Sequence, residues 1–370
     1  MDKLHLKRYA NLLVKYCLNI QTGDRLLVQS TTLAEPLIAQ IYRACLQAGG
    51  HCEVQMSMNG QAETLLELGS DEQLSYTPTV YKKAMEEFEA YLVIKAPFDQ
   101  RRKAVNPERA TIRQKAMHPL WQTYSRRTAT GEMKRSLCLY PCQSLADSAG
   151  MDLEDYTQFV IKACKLDGVR PIEDWQTLGQ HQQHIVDYLN NKDRFRYVND
   201  RMDVSFSTTG RTWINSDGKT NMPSGEVYTS PVEESVEGEA YFDYPAIREG
   251  QEVRGIWLKI SKGEIVDWSA EAGSEVLERA LQVPGARRFG EAAIGTNYLI
   301  DQFTKNILFD EKIGGTVHMA IGQSYLQAGG KNESSVHWDM IADMTKSGRI
   351  YANDGLIYEN GHFLPHILGQ

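Results

Sequence analysis

The stretch 26–57, "LLVQSTTLAEPLIAQIYRACLQAGGHCEVQMS", decides the architecture of the N-terminal half. "LLVQS" is a short apolar run bounded by polar turns, the pattern of a buried strand. "LAEPLIAQIYRACLQAGG" repeats its apolar residues at helical intervals and closes on Gly49 and Gly50, where a left-handed cap is cheap. "HCEVQMS" then returns as a strand. Upstream, "LHLKRYANLLVKYC" (4–17) reads as a helix ended by the turn "QTGDR". Downstream come a polar helix at "YKKAMEEFEA", the apolar strand "AYLVIKA", a basic helix over about 107–127 and a strand at "RSLCLYP". Strands alternating with helices predict a mainly parallel sheet covered by helices.

The first strand-to-helix turn, "VQSTTLAEP", carries no G-x-G-x-x-G, so this half reads as an α/β scaffold rather than a nucleotide site. Two more helices, "DLEDYTQFVIKACKL" and "EDWQTLGQHQQHIVDYLNN", carry the chain to about residue 192. His181 and His184 stand one turn apart on the second. That spacing can chelate a metal, but no carboxylate or cysteine pairs with them, so a solvated helix face is expected. From about 195 the character changes to short alternating runs, "RFRYVND", "MDVSFST", "GEAYFDY", "VRGIWLKI" and "GEIVDWSA", broken by Gly, Asp and Asn. The division expected is an α/β scaffold domain over 1–192 and a mixed α+β, β-rich catalytic domain over 193–370.

Composition agrees with two globular domains. The 370 residues are 42% apolar and 24% charged, which excludes a disordered chain. No apolar run approaches the roughly 18 residues of a membrane span, and "MDKLHLKRYA" lacks the apolar core of a signal peptide. A soluble cytoplasmic protein is expected. The net charge of −8 disfavours nucleic acid as a partner, and only "QRRKAV" and "YSRR" hint at a basic face. The six cysteines all lie in the first half without a Cys-x-x-Cys pair, the usage of buried thiols in a reducing compartment.

The C-terminal half concentrates carboxylates and histidines in turn-rich contexts. "NMPSGEVYTSP" sets Glu226 after Gly225, and "RRFGEAAIGTN" sets Glu291 after Gly290. "LFDEKIGGTVHMAIGQSY" carries Asp310, Glu311, His318 and Tyr325, and "NESSVHWDMIAD" carries His337 and Asp339. Read as strands, Val336, Trp338 and Met340 share one face while His337 and Asp339 share the other; His318 likewise opposes Val317 and Met319. A His-x-Asp pair on one strand face delivers a nitrogen and an oxygen ligand to one cation. Taken singly, each of these residues is also an ordinary surface carboxylate or a hydrogen-bonded histidine. No G-x-S-x-G elbow is present, and no cysteine stands in this half beside its histidines, so a serine or cysteine hydrolase is unsupported.

"NMPSGEVYTSPVEESVEGEAYFDYP", "RRFGEAAIGTN", "LFDEKIGGTVHMAIGQSY" and "SSVHWDM", in this order, closely resemble the thermophilic aminopeptidase (aminopeptidase T/S) family. The resemblance extends through "YANLLVKYCLNIQTGDRLLVQS" and "SAGMDLEDYTQFVIKAC" in the first half. It implies a cytosolic metallo-aminopeptidase that acts on small peptides as a homodimer, with two divalent cations, Zn, Co, Mn or Mg. Glu226, Glu291, Glu311, His318, His337 and Asp339 fall on that family's metal-ligand positions, and Tyr325 on its catalytic tyrosine. One departure stands out: six residues, "KIGGTV", separate Glu311 from His318, more than in the family's pattern. The extra Gly314-Gly315 either bulges and leaves Glu311 in place or withdraws it.

These residue types suit the implied chemistry. Two cations activate a water and polarise a scissile carbonyl. Glu226 or Glu311 takes the water proton, and Tyr325 donates to the oxyanion. Two other readings compete. Glu226 and Glu291 as the carboxylate pair of a glycosidase leave His318, His337 and Asp339 without a role. A degenerate peptide-binding dimer without turnover finds support only in the Glu311 spacing.

Overall fold

The computed structural model describes residues 1–99 and 106–368. The chain forms two units, Met1–Ile172 with Lys219–Met222, and Glu173–Gly218 with Pro223–Gln370. The basic run at 100–105 lies outside the described residues.

The first unit is built on β1 (Arg25–Thr31), β2 (His51–Ser57), β3 (Ala90–Lys95) and β4 (Lys134–Leu139), parallel in the order β2-β1-β3-β4. The short strand Asn221–Met222 extends the sheet beside β4. Leu26, Leu27 and Val28 of β1 are all buried, as an unbroken apolar run demands in a strand covered on both faces. The helix Glu35–Gln47 buries Leu37, Ile38, Ile41, Ala44 and Cys45, one stripe at helical spacing. Its end is a Schellman cap: Gly50 N–H donates to Cys45 O and Gly49 N–H to Leu46 O, each at 3.0 Å. Gly49 holds φ at +82°, the conformation that favours glycine there.

The helical pattern over 4–17 divides into an α-helix, Lys3–Asn11, and a wider π-type segment, Leu12–Cys17. The basic helix Pro107–Ala129 turns several of its cations onto the protein itself. Arg109 donates to Leu66 O, Arg113 to Tyr76 O and Arg127 to Met85 O. Five of the six cysteines are buried.

The second unit is antiparallel. Its larger sheet has eight strands, from Glu264–Ser269 at one edge through Ile256–Ser261, Glu237–Phe242, Met202–Ser207 and Arg194–Asn199 to the C-terminal meander 349–363. Its smaller sheet runs, from the edge strand Ile214–Ser216, through β5 (Glu226–Thr229), β6 (Phe289–Gly295) and β7 (Thr316–Gly322) to β8 (His337–Asp343). One core joins the two sheets: Phe195, Val204, Phe242 and Leu258 from the larger, Val227, Ile294, Met319 and Met340 from the smaller. The helix Pro171–Leu189, adjoining the first half in sequence, adds Ile185, Val186 and Leu189 to this same core.

Because side chains alternate along a strand, burying Val227, Ala292, Ile294, Val317, Met319, Trp338 and Met340 fixes what the other face carries. That face presents Glu226, Glu291, His318, His337 and Asp339.

Candidate metal centre

Cross-strand register brings these residues together. Asp339 of β8 pairs with Ala320 of β7, which pairs with Glu291 of β6. His318 pairs with Ala293 and Ile341, His337 with Gly322, and Glu226 with Gly295. Glycine and alanine between the functional side chains leave the surface of the sheet open there.

His318 is fully buried, its Nε2 3.5 Å from Glu226 Oε2 and 3.5 Å from Glu291 Oε1. His337 Nε2 lies 3.2 Å from Glu291 Oε2 and 3.5 Å from Asp339 Oδ1. Its Nδ1, 2.8 Å from the carbonyl oxygen of Gln323, donates there and fixes the ring with Nε2 toward the carboxylates. Gly290 makes room for that carbonyl, since a Cβ at residue 290 would stand 2.2 Å from Gln323 O. Gly225 has φ of +116°, and a Cβ there would strike Asn297, so the glycine preceding Glu226 is a steric requirement.

Glu311 follows the short helix Ile307–Asp310 and joins the cluster despite its distance in sequence from His318. Gly315 holds φ at +94°, turning the chain immediately before β7 begins at Thr316. Three overlapping triads result, each with one ligand atom per residue within 4.8 Å of the others: Glu226, Glu291 and His318; Glu291, His337 and Asp339; Glu311, His318 and Asp339. Asp310 is not among them. It is buried and turned away, its Oδ1 accepting from Thr304 N–H at 2.8 Å and Thr304 Oγ1 at 2.9 Å. Burial pushes its carboxyl up to about 7. His181 and His184 are both exposed on the helix Pro171–Leu189, as a solvated face requires.

Two residues that sequence reading did not single out complete the site. Lys312 is 0% exposed, pairs with Glu311, and holds Nζ 3.5 Å from Glu226 Oε1. Gln182, also buried, donates from Nε2 to the main-chain carbonyl of Glu226 at 2.8 Å. Only its proximity to Glu311 marked Lys312 in the sequence, and Gln182 carried no signal, lying between the exposed His181 and Gln183.

The electrostatics are those of an anionic cluster needing positive charge. Burial opposes the charged form of His318, but the carboxylates of Glu291 and Glu226 outweigh it and raise its pKa to about 9. His337, likewise opposed by burial, is held up at about 12 by Asp339 and Glu291. Burial pushes Glu311 up to about 8, and the charges of Glu226 and Asp339 add to this against the pull of Lys312. Glu291, mainly, and burial raise the Tyr325 phenol well above its usual range. Tyr325 packs edge-on to the His337 ring, its hydroxyl 3.5 Å from Nε2. Its main-chain N–H donates to Ser230 Oγ at 3.1 Å.

The donor set passes a test of fit to divalent cations. Glu226 Oε2, Asp339 Oδ1 and both ring nitrogens of His318 are buried and make no hydrogen bond among the described residues. Buried polar atoms left this way are costly unless something else meets them. Carboxylate oxygens and imidazole nitrogens aimed at one another are what a hard or borderline divalent cation requires.

A sheet face with this donor set is one that a metalloenzyme could use. The chain belongs to the thermophilic metalloprotease (M29) family, whose sequence profile matches residues 2–363. It is 29% identical to Aminopeptidase 2 of Geobacillus stearothermophilus, over 93% of each chain. To Aminopeptidase T of Thermus aquaticus it is 31% identical, over 50% of this chain and 52% of that one. In structure it is similar to wild-type AmpT from Thermus thermophilus, with a TM-score of 0.82 over 98% of this chain and 99% of that chain at 23% identity. A 2,5-dihydroxypyridine dioxygenase from Pseudomonas putida KT2440 also shares the fold, with a TM-score of 0.61 at 14% identity over 99% of this chain and 98% of that one. Fold alone therefore does not fix the chemistry. Among the described residues no helix is long and apolar enough to cross a membrane.

Proposed function

We propose that this metalloprotease is an aminopeptidase that removes single residues from the N-termini of small peptides with two divalent cations. The observation that carries the reading is Glu291. One of its carboxylate oxygens faces His318 at 3.5 Å and the other faces His337 at 3.2 Å. A carboxylate so divided suits sharing between two cations. Glu226, His318 and Glu311 would hold one of them, and His337 and Asp339 the other.

When bound, the cations supply the Lewis acidity that activates water at neutral pH and polarises the scissile carbonyl. Glu226 is also the base: held in place by Lys312, its carboxylate takes the water proton and delivers it to the departing amine. The Tyr325 hydroxyl, beside His337, donates a hydrogen bond to the developing oxyanion. The concentration of carboxylates on this sheet face attracts the substrate's α-ammonium and restricts cleavage to the first residue.

The protein acts as a homodimer in the cytoplasm. Val54, Met56 and Met58, on and just after the edge strand β2, are exposed, which suits cover by a second copy. Buried cysteines without Cys-x-x-Cys pairs suit a reducing compartment.

The test is hydrolysis of aminoacyl-p-nitroanilides after chelation and after return of Zn, Co, Mn or Mg. Activity restored by metal and abolished by N-acetylation of the substrate is the expected result. Chelation without effect, or equal cleavage of the acetylated substrate, contradicts the reading.

A further inference from the structure

We propose that a pocket beside β8, lined in part by His337 and Asp339, is the subsite for the side chain of the substrate's first residue, and that it selects an aliphatic side chain of leucine or methionine size. This rests on the aminopeptidase reading above, because it takes cleavage at the His337–Asp339 face as given.

The pocket encloses about 130 Å³. His337, Trp338, Asp339 and Ile341, consecutive or nearly so along β8, all line it. Ala246, from the hairpin 246–253, and Phe303 and Ile307, from the segment leading into Glu311, form the walls. The cavity is therefore lined by candidate metal ligands and apolar side chains, together with Lys305 and Asp310. Such pockets, mostly apolar with a few polar groups at the reacting end, are how proteins hold small ligands. A substrate whose first carbonyl and α-amino group lie at His337 and Asp339 has its first side chain within reach of these walls. Ile307 is 46% exposed and Ile247 38%, two large apolar side chains from separate elements that both line the pocket. A substrate side chain entering between them would cover both.

Size and charge narrow the occupant. An apolar cavity of about 150 Å³ accepts a benzene ring, so this smaller one takes four or five aliphatic heavy atoms and excludes an indole. Asp339 lines the pocket, so an acidic side chain meets a carboxylate of like charge. Lys305 offers no compensating ammonium, since its Nζ is paired with Glu252 at 2.8 Å.

Each methylene moved from water into such a pocket is worth about fourfold in binding. Leucine has three more side-chain carbons than alanine, so kcat/KM for the leucyl p-nitroanilide should exceed that for the alanyl by about 60-fold. The test measures alanyl, leucyl, methionyl, glutamyl and tryptophanyl substrates with the metal-loaded full chain and two variants. Ile307→Trp, at the exposed rim, should lower the leucyl-to-alanyl ratio at least about tenfold. Phe303→Ala, which lengthens the cavity, should raise the tryptophanyl-to-leucyl ratio by a similar factor. A flat wild-type profile, or ratios within about twofold of wild type in every folded variant, overturns the subsite and leaves the aminopeptidase reading standing. Folded, metal-loaded wild type that cleaves none of the substrates overturns that reading, and the subsite with it.

Discussion

The ammonium of Lys312 lies 3.5 Å from Oε1 of Glu226, with no solvent access to the lysine side chain. It also pairs with Glu311, so one buried cation is set between two of the carboxylates that face His318. In cation-free protein this ammonium offsets part of the cluster's charge; removing one partner of such a buried pair costs about 3–5 kcal/mol. Lys312→Met should therefore destabilise the chelated protein strongly and the metal-loaded protein much less. Thermal denaturation in chelator and in excess Zn or Mn checks this. An equal loss of Tm in both conditions contradicts the idea that Lys312 and the cations balance the same carboxylates.

Gln182 holds the backbone of Glu226 rather than its carboxylate. The same amide reaches Asn215 Oδ1 at 2.9 Å and Ser216 O at 3.2 Å. Gln182→Met removes the donor to the buried Glu226 carbonyl and to Asn215 Oδ1, while Ser216 O keeps Gly225 N–H and Ser224 Oγ, for about 1–3 kcal/mol of stability. Through Glu226 it should also weaken cation binding by about tenfold to a hundredfold, the usual scale for a group supporting a ligand. Denaturant unfolding and metal titration together separate the outcomes. Lost stability with unchanged metal affinity makes Gln182 structural only.

Tyr325→Phe removes the hydroxyl next to His337 and little else, since the ring contacts with Tyr228 and His337 survive the change. Loss of one oxyanion donor costs about 10²–10³ in kcat. KM and metal content should stay near wild type. A variant that keeps its kcat removes Tyr325 from the chemistry.

The cation-free protein should lose stability as pH rises. His318 titrates near 9 in the fold against 6.5 for an unperturbed imidazole. Its contribution is fully present below about 6.5 and is lost as pH climbs through 9. His337, held up at about 12, acts in the same direction. Asp339, lowered to about 2 by His337 against its burial, contributes above its unfolded value and is lost only as pH falls toward 2. The Tm of chelated protein should therefore decline between pH 6.5 and 9. Because cations displace these protons, metal affinity should rise over the same range. A chelated protein whose Tm is level or rising over that interval contradicts this charge arrangement.

Part of this was legible in the chain. The Schellman glycines after Gln47 and the apolar β1 announce the parallel half, because both are local signals. Trp338 between His337 and Asp339, and His318 between Val317 and Met319, display the period of two that puts three ligand candidates on one sheet face. What joins them is not local. Whether Glu311 reaches His318 depends on how Gly315 turns, and whether Lys312 is buried depends on strands far away in sequence. Asp310, next to Glu311 and of the same chemistry, turns instead to Thr304. The helix Pro171–Leu189 follows other helices in sequence, yet its apolar stripe packs with β-sheets whose strands come later. Residue types and periodicity can nominate such groups, but tertiary packing chooses among neighbours.

The most direct test counts bound metal per chain by mass spectrometry in wild type and Glu291→Gln, alongside hydrolysis of leucyl-p-nitroanilide. The shared-carboxylate geometry predicts two equivalents in active wild type. It predicts one or none in the folded variant, with kcat/KM down by about 10³ or more, a loss of about 4 kcal/mol of transition-state stabilisation. Wild type that reaches full activity with a single equivalent, or a variant that keeps two equivalents and its activity, would contradict a two-cation centre divided by Glu291.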